Sequence, residues 1–269
     1  RDVGAGLVRP RPGRAAASWG LLRPVGLALR LQRGSLVAWA VAVFLVGVAY
    51  GSVGQDIGDL IGDNPDMAAM LARSGGADLT DAFFGVALLV LALIGSGFAI
   101  QSALRLRGEE SAGRAEPLLA AAVSRHRWAG SHLAVALLGS GAVLAAGGLG
   151  MGLSFGVITG DAGEVPRLLG AALVGVPAVW VLVGFAVALF GLVPRATTAA
   201  WAGLGGCVVV ALLGPLLDLP GWLADVSPFQ HVPPLPAAEL TAGPLGVLLA
   251  IAAGLTAAGL AAFRRRDIG

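Results

Sequence analysis

Six apolar stretches, free of Asp, Glu, Lys and Arg throughout, alternate along this chain with polar connectors. They run over about Ser35 to Gly54, Ala82 to Leu104, Ser131 to Ile158, Leu168 to Val193, Thr198 to Leu217 and Pro244 to Phe263. An α-helix rises about 1.5 Å per residue, so each stretch is long enough to cross a hydrocarbon layer of roughly 30 Å. The stretches are apolar on all faces rather than alternating with period two, which excludes the strands of a membrane β-barrel. The fold expected is therefore all-α integral membrane, with six transmembrane helices.

Ahead of the first stretch, residues 15–34 are too polar to span. At 100° per residue, Leu21, Val25, Ala28 and Leu31 share one face and Arg23, Arg30 and Arg33 the opposite one, with Trp19 at the edge. This pattern predicts an interfacial amphipathic helix, bent or begun near Pro24. The domain plan is a linker over 1–14, rich in Pro, Gly and Arg, the interfacial helix over 15–34, the six-helix domain over 35–263 and a tail over 264–269.

Composition agrees with this plan. The chain is 57% hydrophobic and 13% charged, with a mean hydropathy of +0.83, against about 25% charged residues in soluble domains. All 18 basic residues are Arg, and 16 fall on one side if the N-terminus is cytoplasmic; only Arg73 and Arg167 do not. By the positive-inside rule both termini are expected in the cytoplasm, with the chain in the plasma membrane. The basic residues then line a membrane face, and nucleic acid is not an expected partner.

Several chemistries are excluded or weakened. With no Lys there is no phosphate-binding GxxxxGK[ST] loop, so any ATP must be bound by another polypeptide. No zinc-type Cys/His spacing or nucleophile elbow is present, and the lone Cys207 reads as a packing residue. No Asp, Glu, Arg or His lies deep inside any span, which argues against ion-coupled carriers and intramembrane catalysts. Asp56, Asp59, Asp63 and Asp66 fall opposite Ile57, Leu60, Ile61 and Met70, a solvated acidic face on a short surface helix rather than a calcium loop. The proline-rich stretch Asp218 to Gly243 predicts an interfacial or re-entrant loop carrying Trp222 and Phe229. Gly148, Gly152 and Gly156, the group Gly95, Ser96 and Gly97, and Gly184 with Gly191 predict close helix packing.

The one dense charged segment is Arg105 to His132, between the second and third spans. Its residues Glu109-Glu110-Ser111-Ala112-Gly113-Arg114-Ala115-Glu116-Pro117-Leu118-Leu119, then Ala122-Val123-Ser124-Arg125, resemble the E-x-x-G-x-x-E-x-L-L and P-V-S-R signature of type-2 ABC exporter permeases. More narrowly the segment is similar to the actinobacterial exporters of polyketide antibiotics, whose chains carry two six-helix halves. Ala122 departs from the pattern where Pro is usual, and Pro117 interrupts the segment. The resemblance implies a cytoplasmic coupling loop that touches an ATP-binding cassette ATPase through Glu109, Glu110, Gly113, Arg114, Glu116, Ser124 and Arg125. It implies no cofactor on this chain, with ATP and Mg on the partner subunit. It also implies export of a hydrophobic or amphipathic small molecule. His126 and His132 are expected as interfacial polar residues.

Arg1-Asp2-Val3-Gly4 and Arg266-Asp267-Ile268-Gly269 nearly repeat each other at the two ends, as one unit of a tandem repeat would. This predicts the second half of a longer chain, with the other six-helix half as a further partner. Two alternatives belong to other classes: a non-transporting membrane scaffold or assembly protein, and a membrane-embedded lipid-modifying enzyme, for which only His231, Asp225 and Glu239 offer chemistry.

Overall fold

A computed structural model describes residues 24–62, 79–113, 124–214, 216–217 and 219–265, with the backbone alone for Gln55, residues 57–62, Arg125 and His126. The helices are α1 (Pro24–Gly62), α2 (Leu79–Ser111), α3 (Arg125–Thr159), α4 (Glu164–Val174), α5 (Val176–Leu192), α6 (Ala199–Leu213), α7 (Gly221–Ala224) and α8 (Ala242–Arg265). Short 3-10 turns lie at Pro194–Ala196 and Pro228–His231, and no strand occurs among the described residues.

Five helical stretches are long and apolar enough to cross a membrane: residues 24–54 of α1, α2, residues 127–159 of α3, α4 with α5, and α8. The sixth expected span is shorter than its apolar run. α6 ends at Leu213 rather than Leu217, which makes it about 22 Å long, because Gly214 precedes Pro215 and a proline has no N–H to continue the ladder. α8 lies parallel to α5, with Gly184 against Ala252 and Gly191 against Gly259, so the start of α8 is at the opposite end from Leu192.

Two further boundaries differ from the pattern. From Pro24 onward, the segment expected as an interfacial helix and the span expected at Ser35 are one uninterrupted helix; residues 1–23 lie outside the described residues. Of the expected apolar face, Ala28 is buried, while Val25 and Leu31 are exposed. The rotation of α1 is set farther along, where Gly47 and Gly51 seat on the carbonyls of Gly147 and Met151, and Gly150 seats on that of Phe44. The fourth span starts earlier than expected, at Glu164, and is broken between α4 and α5. Pro177 lacks the N–H that would bond the Leu173 carbonyl, and the helix restarts with this proline in its first turn. The acidic surface helix expected around Asp56 to Met70 begins as the last turns of α1; residues 63–78 lie outside the described residues.

α2 is the most buried span and α1 and α8 are peripheral. One core cluster, including Val43, Leu91, Phe98, Val143, Met151 and Leu168, joins α1 to α4. A second, including Ile100, Ala136, Leu182, Val183, Leu204 and Leu248, joins α2, α3, α5, α6 and α8. Small residues set the distances between helices. A Cβ added at Gly148, Gly152 or Gly156 would lie 2.8 Å from the Leu168 carbonyl oxygen, the Val165 Cα or the Asp161 carbonyl oxygen, so the expected glycine stripe of α3 is where α4 lies down. Cys207 is buried, as a packing residue would be.

Candidate functional site

The described arginines other than Arg167 gather at one end of the bundle, where α1 and α3 begin and α2, α5 and α8 finish. α2 runs past its apolar body and carries four charges in its last turns. Arg105 Nε lies 3.6 Å from Glu109 Oε1, and Arg107 donates to Glu110 Oε2 at 3.2 Å. The side chains are not equally presented: those of Arg105 and Arg107 are 42% and 37% exposed, those of Glu109 and Glu110 10% and 9%. The carboxylates expected to face a partner are therefore the less accessible members of these pairs.

Both ends of the intervening connector are fixed by local chemistry. Gly113 takes the left-handed conformation (φ 66°) and donates to the Glu110 carbonyl at 3.0 Å, which stops α2. Ser124 is the N-cap of α3, its hydroxyl accepting the Arg127 N–H at 3.3 Å. The helix start thus accounts for the Ser124 side chain, whereas Arg114, Glu116 and the side chain of Arg125 lie outside what is described. Directly beneath sits a third apolar cluster of Leu106, Trp128, Ala129, Phe190 and Phe263. Phe263 stacks at 5.1 Å from Phe190 and 6.1 Å from Trp128, so the ends of α2, α3, α5 and α8 share one aromatic joint.

Sequence reasoning missed a polar cluster one to two turns deeper. Ser102 donates to Gln32 Oε1 at 2.6 Å, and Gln32 Nε2 approaches His132 Nδ1 at 3.4 Å. Gln101 Oε1 accepts from Trp39 Nε1 at 2.8 Å and from Ser35 at 3.3 Å. Gln32 and His132 are each only 3% exposed. His132 is thus enclosed between α1, α2 and α3 rather than interfacial as expected. The available signal was rarity: the chain has four glutamines, and two of them, Gln32 and Gln101, each join α1 to another helix here. Gln32→Met removes one shared hub and leaves the Ser102 hydroxyl and His132 ring without it. The expected cost is about 1–3 kcal/mol, measured as a lower unfolding temperature in nanodiscs, while Gln32→Glu retains an acceptor for Ser102.

At the opposite end Arg167 ties two helices. It donates to both carboxylate oxygens of Glu164, at 3.0 and 2.8 Å, and pairs with Asp81 at the start of α2. The guanidinium is over a third exposed, so the pairing is salt-sensitive and worth at most about 1 kcal/mol. Arg167→Ala is expected to lower stability by that amount in low salt and by less in 0.5 M salt; equal losses in both would rule out an electrostatic contribution.

Among the described residues, an all-helical bundle with several apolar spans and charges at its ends is the framework of a multi-pass membrane domain. The chain belongs to the family of the C-terminal domain of the multidrug efflux system permease Rv1217c, whose model matches residues 21–264. It is 46% identical over 270 residues to the multidrug efflux system permease protein Rv1217c of Mycobacterium tuberculosis (strain ATCC 25618 / H37Rv). That match covers 100% of this chain and 49% of the relative, so the chain spans about half the length of the curated relative. The resemblance to exporter permeases stated from the 109–125 motif is borne out by this kinship.

Proposed function

We propose that the chain is one six-crossing half of the permease of an ATP-driven exporter, which moves hydrophobic or amphipathic, drug-like compounds out of the cell. The observation that carries this reading is 46% identity, along the whole of this chain, with about half of a multidrug efflux permease. In this reading α6, with its following turn, makes the sixth crossing, and the arginine end faces the cytoplasm by the positive-inside rule. A separate ATP-binding cassette subunit docks at this end through the exposed Arg105 and Arg107, which Glu109 and Glu110 hold in place, and through the connector at Gly113, Arg114, Glu116, Ser124 and Arg125. The second six-helix half completes the path. Closure of the ATPase pushes the connector; because α2 is stopped at Gly113 and α3 capped at Ser124, the push tilts both helices as rigid bodies. The Trp128, Phe190 and Phe263 joint supports transmission of that tilt to α5 and α8. Absence of charge from the spans suits walls that pass apolar cargo.

The test is reconstitution of the complete permease with its ATPase subunit in nanodiscs, comparing copurification and ATP turnover for wild type and Glu109→Ala/Glu110→Ala/Glu116→Ala. Wild type is expected to hold the ATPase, and the variant to lose binding or coupling. If wild type retains no ATPase, the exporter reading fails and a membrane scaffold becomes the better description.

A further inference from the structure

A cavity of about 380 Å³ lies between α2, the α4–α5 break and the proline-rich segment 228–237. Its deepest walls, at Ala92 and Gly175, lie eleven residues along from Asp81 and Glu164. That places them about 16 Å below the Arg167 ion pairs, near the middle of the bundle. Small residues open the space. Gly85 turns a bare backbone toward the segment, where an added Cβ would meet the carbonyl oxygens of Pro234 at 3.4 Å and Leu235 at 3.6 Å. Ala82, Ala171 and Ala172 continue the recess.

One stretch of irregular backbone, the 228–237 segment, borders it, facing the one-residue helix kink at Gly175. In a bilayer, backbone outside a helix is tolerated only where protein buries it or where it lines a cavity, and broken helices mark binding sites for that reason. The segment is anchored by Pro228 and Phe229, both buried, and the side chain of Gln230 adds an amide to the lining. Pro233 and Pro234 have no N–H, so this wall offers acceptors in excess over donors. Among the described residues, none that lines the cavity is charged. The volume is at the small end of the roughly 300–1,000 Å³ of ligand pockets, which are apolar with a few placed polar groups.

We infer that this cavity is a binding pocket inside the half itself, taking a compact, uncharged, hydrophobic small molecule that presents a hydrogen-bond donor to the 230–235 wall. That the occupant is export cargo rests on the exporter reading; that the pocket binds does not.

The probe is a neutral hydroxymethyl-phenyl trifluoromethyl diazirine, photolysed with the complete permease and its ATPase subunit in nanodiscs, with labelled peptides located by mass spectrometry. Labelling of residues 82–92 and 229–237 is expected to fall at least fivefold with excess non-photoreactive analogue. Labelling of the lipid-facing stretch Val37 to Leu45 is expected to stay constant. Ala92→Phe fills the floor, and Val86→Trp obstructs the exposed rim without touching the core; each is expected to abolish the saturable fraction. Uniform, non-saturable labelling overturns the pocket, as does saturable labelling indifferent to both variants. Displacement by oleate but not by the analogue overturns the small-molecule assignment in favour of an acyl chain. Saturable labelling in a permease that holds no ATPase supports the pocket while removing the exporter reading. Non-saturable labelling with ATP turnover intact does the reverse.

Discussion

Gly191→Val is expected to separate α8 from α5 and to cost more stability than any other single substitution considered. A Cβ at Gly191 would overlap the carbonyl oxygen of Gly259, and a Cβ at Gly259 would overlap that of Val187. The obstructing atoms are backbone, fixed within two hydrogen-bonded helices, so no rotamer change relieves the overlap. Overpacking costs about 1–3 kcal/mol where side chains adjust, and this site lacks that escape. At roughly 2–4 °C per kcal/mol for a domain of this size, the unfolding temperature should fall by about 6 °C or more, with loss of a monodisperse species in detergent. Gly205→Val and Gly254→Val are the controls, because a Cβ at either position meets nothing within 4 Å. Both lie in helices, so propensity changes alike and contact does not. Equal behaviour of all three variants would mean that α5 and α8 do not approach through this seam.

The same geometry explains how far the fold was legible. Apolar runs placed the spans because burying backbone in lipid demands long helices, and the glycine spacing on α3 anticipated close packing because only small residues admit a neighbouring backbone. Element ends were less legible. The continuity of α1 through Arg33 and Gly34 was hidden because polarity changes there while nothing stops the helix: no proline follows, and Gly34 faces open space. The break before Pro177 follows from a local rule, yet apolarity continues across it and masks it. At the candidate site, Gly113 was readable as a division of the connector. The motif places Ser124 at the end of the connector without revealing that its side chain caps α3. The Gln32, Ser102 and His132 cluster joins positions up to 100 residues apart, and no local periodicity encodes such a meeting.

The second large effect is expected at the arginine end, and it separates two kinds of charge that the motif treats together. Glu109 and Glu110 are the less accessible members of their pairs with Arg105 and Arg107, whereas the arginines are the more exposed partners. If an ATPase docks at this end of α2, as proposed above, it meets guanidinium groups first, and Arg105→Glu/Arg107→Glu should impair docking more than Glu109→Gln/Glu110→Gln. Reversed charge at an exposed rim acts on association rate and salt dependence, so ATPase affinity is expected to fall on the order of tenfold at low salt. The defect should narrow in 0.5 M salt, where screening acts within a few ångströms. The neutral Gln pair instead removes the anchors of both arginines. It should loosen the last turns of α2, read as faster hydrogen exchange over residues 105–113, and reduce ATP turnover per bound subunit rather than binding. Binding that is lost in the Gln pair and retained in the reversed pair would show that the carboxylates, after reorienting, make the contact themselves. The pairing with the arginines would then belong to the permease without its ATPase.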